Sequence, residues 1–142
     1  TWHILAFGAL TILMLSSGAV LLYTFFDQEY TPGRFLTNPI LPDVESIAIG
    51  ERLYQQNCIG CHGPAGLGDG PAGTALFPPP ANFTAGHTAG HSDGDIFYWI
   101  RSGVPGTAMV GFGDQFSRTE MWHLVNYVRR LSAQSPQLSA QP

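Results

Sequence analysis

Residues 58–62 read Cys58-Ile59-Gly60-Cys61-His62, and C-x-x-C-H is the spacing that attaches a c-type haem. Each thiol can add across one vinyl group of the porphyrin, and the histidine that follows the second cysteine is then held beneath the iron as its proximal ligand. Other readings use fewer residues. A structural zinc site needs four ligands, usually with a second cysteine or histidine pair, and Cys58 and Cys61 are the only cysteines. A thioredoxin-like dithiol wants a surrounding βαβ pattern, whereas Cys58 follows a helical stretch and precedes a glycine- and proline-rich loop. Two thiols buried as small hydrophobes leave His62 without a role.

Upstream of the motif, Asp43 or Ser46 is placed to cap a helix running to about Asn57, with Ile47, Gly50, Leu53 and Tyr54 at helical spacing. Gly50 is a poor helix former by about 1 kcal/mol relative to alanine, and a close helix crossing would explain it. The partner for such a crossing is the last helix, about Arg118 to Leu131. Ser117 caps it, Glu120 completes a capping box, and Met121, Leu124, Val125, Tyr127, Val128 and Leu131 form a stripe with a period near 3.6. With Gly50 and Tyr54 on one helix and Leu124 and Tyr127 on the other, the chain from about Asp43 to Leu131 resembles a class I cytochrome c. The resemblance implies an all-α fold in which the first and last helices cross and a small helical domain wraps one covalent haem c.

The same resemblance implies a methionine as sixth ligand, well downstream of the haem histidine. Met14 lies in an apolar N-terminal run and Met121 on the last helix stripe, where core filling is the default. Met109 sits in the glycine-flanked loop Gly106-Thr107-Ala108-Met109-Val110-Gly111-Phe112 and is the expected ligand, with Val110 where the family often has proline. In the family a proline carbonyl receives the proton on the proximal histidine's other nitrogen, which points to Pro78, Pro79 or Pro80. Arg101 or Asn82 is placed to bond a haem propionate, since a guanidinium matches a carboxylate fork. Asp93-Gly94-Asp95 opens a short helix through Arg101, closed by Gly103, with Phe97 and Trp99 or Ile100 expected against the haem. His87 and His91 read as surface histidines, although a bis-histidine haem is conceivable, and His123 as exposed on the last helix; His3 is a candidate for the membrane interface.

The stretch from Ile4 to Phe26 contains no charged residue and no proline. At about 1.5 Å per residue it covers the roughly 30 Å hydrocarbon core of a bilayer, so it reads as a single transmembrane helix. A signal peptide would show a basic n-region, a shorter apolar core and a small-residue exit, none of which is present. Trp2 at one end and Tyr23, Phe25 and Phe26 at the other suit the two headgroup layers. Ser16, Ser17, Gly18 and Ala19 form a small-residue patch suited to close helix packing. Thr1 is not a methionine, which leaves room for a longer parent chain. The organisation expected is an anchor over residues 1–26, a tether over 27–44 carrying Pro32, Pro39 and Pro42, a cytochrome domain over 45–132 and a C-terminal tail over 133–142, disordered or laid on a partner.

All ten acids and all six bases follow Phe26, every base is an arginine, and the net charge is −4. Nucleic acid, which requires a basic patch, is excluded, and steering of partners by charge is expected to be modest. The reading that results is a membrane-anchored monohaem electron carrier rather than an enzyme. Its head would lie on the periplasmic face of a bacterial cytoplasmic membrane, because covalent haem attachment in bacteria takes place outside the cytoplasm. Its partners would be membrane lipid, redox donor and acceptor proteins, and other membrane subunits of an electron-transport complex. The Gly-Asp-Gly, proline-rich and Gly-Thr-Ala-Met stretches are similar to monohaem subunits of alternative complex III and to cytochrome domains joined to copper-resistance membrane proteins. A free-standing tethered shuttle is the alternative, and an open-site haem enzyme or gas sensor the third.

Overall fold

The computed structural model describes residues 13–19 and 32–134. The chain divides into two compact units, Thr1–Thr31 and Pro32–Pro142. In the first, residues 13–19 are helical. Leu13, Met14 and Leu15 are exposed there, and the Ser16 and Ser17 hydroxyls donate to the carbonyls of Leu13 and Met14, each at 3.0 Å. Those two hydroxyls are therefore satisfied within their own helix. The rest of the expected span, residues 27–31 of the tether and residues 135–142 of the tail lie outside the described residues. Among the described residues no helix is long and apolar enough to cross a membrane.

The described residues of the second unit form four helices, α1 (Val44–Asn57), α2 (Ile59–His62), α3 (Asp93–Ser102) and α4 (Arg118–Ala133), with 3-10 turns at Pro32–Phe35, Phe83–Ala85 and Thr88–Gly90. Described residues contain no strand, only an isolated antiparallel bridge between Gly103 and Val110. Asp43 caps α1 by accepting from the Ser46 amide at 2.8 Å. The Ser117–Glu120 capping box of α4 forms as the sequence suggests. In α3 the cap is Ser92, which exchanges bonds with Asp95; the helix opens at Asp93 as the sequence suggests, and its cap is the residue the sequence reading left unnamed.

α1 and α4 cross where Gly50 meets the other helix. A Cβ at Gly50 would overlap the carbonyl oxygen of His123 and lie 2.8 Å from the Tyr127 Cβ, so only a bare backbone allows the approach. One turn later the Tyr54 and Tyr127 rings pack at 5.2 Å between centroids. Ser46, the other candidate cap, is buried instead at this crossing: its hydroxyl lies 2.8 Å from His123 Nδ1 and accepts from the Asn126 side-chain amide at 2.8 Å. His123, expected on the exposed side, is thus half-buried and faces α1. The core around the crossing holds Tyr54, Ile96, Phe97, Met121, Trp122, Leu124, Val125 and Leu131. Met121 is core filler, as its stripe position suggests.

The described part of the expected tether does not stand free. Gly33 and Gly94 are both buried and approach so closely that a Cβ on either would overlap the other's carbonyl oxygen. Leu36 and Ile40 pack on the core. Asn38 donates to the Asn126 side-chain oxygen at 2.8 Å, and the Asn126 amide reaches the Ile40 carbonyl at 3.2 Å. Proline spacing reads as an open linker, but Asn126 supplies the amide partners that an isolated segment would take from water.

Alanine at Gly50 gains about 1 kcal/mol of helix propensity and loses more by overpacking against backbone, about 1–3 kcal/mol. Gly50→Ala is expected to lower the thermal midpoint in far-UV circular dichroism; a midpoint equal to the parent's would show slack in the crossing. Tyr54→Phe removes the hydroxyl that donates at 2.7 Å to the Gly63 carbonyl. It should cost about 0.5–1.5 kcal/mol in urea titration, with the visible spectrum unchanged.

Candidate haem site

Cys58 closes α1, its amide donating to the Tyr54 carbonyl at 2.8 Å, and α2 starts immediately, the His62 amide donating to the Cys58 carbonyl at 2.9 Å. One continuous turn thus carries Cys58, Cys61 and His62. The loop after it folds back, and the amides of Gly68, Gly70 and Ala72 donate to the carbonyls of His62, Cys61 and Gly60. The open carbonyls at the end of α2 are satisfied in this way, and the loop is locked beside the motif.

Cys58, Cys61, His62 and Met109 all line one cleft of about 260 Å³, with Leu76, Pro78, Pro79, Pro80, Val104, Val110 and Phe112. A smaller cavity shares Cys58, His62, Met109 and Phe112 and reaches Tyr54, Phe83, Ile100, Leu124 and Val128. The two thiols are unpaired. Burial, and behind it the neighbouring Cys61, pushes the Cys58 thiol up to about 11. A reactive redox dithiol needs the opposite shift.

The His62 ring is oriented from two sides. Its Nδ1 lies 3.2 Å from the Ala81 carbonyl oxygen, and Phe83 stacks on it at 4.6 Å with 21° between planes. A carbonyl can only accept, so Nδ1 carries the proton and Nε2 keeps its lone pair. Burial of the ring lowers its pKa, partly opposed by the Ala81 bond, which favours the neutral imidazole that a metal requires. The expected carbonyl acceptor among Pro78, Pro79 and Pro80 is therefore corrected to Ala81, the residue after the run. Pro79 remains in the cleft wall. The three prolines set the path of the chain, and the carbonyl that points at the ring comes one residue later.

The Met109 loop is held without a proline after the methionine, where Val110 stands. The Thr107 hydroxyl donates to the Val104 carbonyl at 2.8 Å and accepts from the Met109 amide at 3.1 Å, while the Val104 amide donates to the Met109 carbonyl at 3.1 Å. Phe112 and Gly113 anchor the far side by donating to the carbonyls of Ile100 and Arg101. Thr107 went unnoticed in the sequence, although a threonine two residues before a methionine in a glycine-flanked loop is an ST-turn signal.

Other expected contacts fall elsewhere. Arg101 is exposed and does not line the cleft; no Asp, Glu, Lys or Arg does among the described residues. Asn82 caps the turn at Phe83–Ala85, its side-chain oxygen accepting from the Thr84 amide and hydroxyl. Phe97 is turned into the core, stacked on Trp122 at 4.2 Å with the Arg118 guanidinium over its ring. Ile100 lines the smaller cavity and Trp99 meets the edge of His91. His87 is exposed, His91 half-buried, and neither lines the cleft.

A family model described as cytochrome c oxidase, cbb3-type, subunit III matches residues 45–128. No curated protein matches the chain. Six solved chains do. One is a chain of the Kuenenia stuttgartiensis reducing HAO-like protein complex Kustc0457/Kustc0458, with 31% identity and a TM-score of 0.61, over 75% of this chain and 53% of that one. This chain thus spans about half the length of that neighbour. Two thiols, an imidazole with its free lone pair directed by Ala81 and Phe83, and an apolar wall fit a covalently held haem c. The chain belongs to the cbb3-type subunit III cytochrome c family and is a class I c-type cytochrome.

Proposed function

We propose that this chain is a membrane-anchored monohaem electron carrier. Its iron would be held between His62 and the Met109 sulfur, and it would serve as a subunit of a quinol-oxidising or other electron-transport complex. The observation that carries the reading is that His62 and Met109, far apart in sequence, line the same cleft as both cysteines. Haem c supplies reversible one-electron chemistry when bound. The chain's own residues do the rest: Cys58 and Cys61 hold the group covalently, Ala81 and Phe83 keep the His62 ring in one tautomer and one orientation, and Thr107 holds the Met109 backbone. A thioether opposite imidazole raises the potential relative to two imidazoles. With both axial positions taken by protein there is no opening for a substrate, which argues for electron transfer rather than catalysis.

Residence in a complex is supported by the neighbour being a chain of a protein complex and by the surface beside the cleft. Phe77, next to the lining residues Leu76 and Pro78, is 95% exposed, and Val110 is 63% exposed. An uncharged apolar rim suits a standing contact better than charge-steered encounter. The uncharged run from Ile4 to Phe26 supports a membrane anchor, and the place of haem attachment supports a periplasmic head.

Met109→Ala is expected to convert the oxidised protein from a low-spin to a high-spin spectrum and to lower its potential. A spectrum identical to the parent's would mean that another residue is the ligand. Purification of the intact protein from membranes in mild detergent should bring further redox subunits with it, and clean release of a monomer would favour the tethered shuttle.

A further inference from the structure

His87 and His91 flank the 3-10 turn Thr88–Gly90, outside the haem cleft. Their Nε2 atoms converge to 3.0 Å, with the ring planes 81° apart. At that distance one ring donates its Nε2 proton to the lone pair of the other. The same spacing has a second use. Two imidazole nitrogens bound at right angles to one cation, each at about 2.1 Å, stand about 3.0 Å apart, whereas a tetrahedral angle would open them to about 3.4 Å.

The turn that carries the pair is built to hold it. Arg129 of α4 donates to the Thr88 carbonyl at 2.8 Å and to the His91 carbonyl, and its Nε bonds the Asp93 carboxylate at 2.6 Å. The guanidinium thus clamps both ends of the turn while Asp93 offsets its charge. The amide of Gly90 closes the turn onto the His87 carbonyl at 3.0 Å. His91 is fixed edge-on against Trp99 at 4.7 Å. His87 is exposed, so a hydrated cation has access. The ordering cost of bringing two imidazoles together is met by the fold before any ion arrives.

We propose that His87 and His91 form a bidentate site for a divalent transition cation, with copper(II) favoured. Copper(II) is preferred because right-angled donors match tetragonal geometry and because imidazole sites follow the Irving–Williams order. Water fills the remaining positions, so the ion exchanges. For both lone pairs to face the cation, the donor ring moves its proton from Nε2 to Nδ1, leaving both rings neutral. The site does not depend on how the haem iron is ligated.

The test is a titration of copper(II) chloride into the oxidised holo-protein in a non-chelating buffer, followed by electron paramagnetic resonance. The expected result is an axial copper signal with nitrogen hyperfine structure, separate from the low-spin ferric haem. His87→Ala and His91→Ala should each weaken copper binding at least tenfold, while His3→Ala leaves it unchanged. Should His91→Ala perturb folding through Trp99, the exposed His87→Ala decides, with an unaltered haem spectrum as its folding control. Unchanged affinity in His87→Ala, or loss of the signal in His3→Ala, overturns the proposal.

Discussion

The domain hangs on one close approach, the bare α-carbon of Gly50 against the His123 carbonyl. Because α1 and α4 can meet there, Tyr54 reaches both Tyr127 and the Gly63 carbonyl. That hydroxyl ties α1 to the turn leaving the haem motif, so the helix crossing and the position of His62 are mechanically linked. The approach also sets the distance at which Ser46, His123 and Asn126 can complete a polar cluster between the helices. A buried cluster of this kind stabilises only if each member is satisfied. Here Asn126 is satisfied by reaching past α1 to Asn38 and Ile40, which brings the N-terminal segment of this unit onto the domain.

The haem site follows the same logic on the other side. A single helical turn delivers three of its groups, and the long glycine-rich loop is ordered because its amides answer the carbonyls of that turn. The loop then supplies the Ala81 carbonyl and the Phe83 ring that settle the orientation of His62. Met109 arrives on a separate loop tied by the Thr107 hydroxyl, with Val110 rather than a proline after the methionine. The cleft is apolar almost throughout, so a charge on the iron would be felt strongly there and water would compete little for its ligands.

Much of this could be read from residues alone where the signal was local. Cys58, Cys61 and His62 announce themselves by spacing, because covalent attachment demands a fixed separation along the chain. The Ser117–Glu120 box and the α4 stripe are likewise local patterns, and both helices that cross were placed from periodicity. Gly50 was legible as an anomaly whose meaning required a partner. The misreadings share one cause: His123, Phe97 and the proline-bearing segment were assigned by what each residue type usually does.

Sequence by itself thus determined the chemistry, since covalent haem attachment follows from two cysteines and a histidine within five consecutive residues, and the helical class, since period and caps are short-range. Tertiary structure decided which carbonyl faces His62, that Thr107 steadies the Met109 loop, that Asn126 draws residues 38–41 onto the domain, and that Arg129 brings two surface imidazoles together. Each of these is a contact between segments distant along the chain, and its partner is selected by backbone path and close packing, which no local pattern of residues encodes.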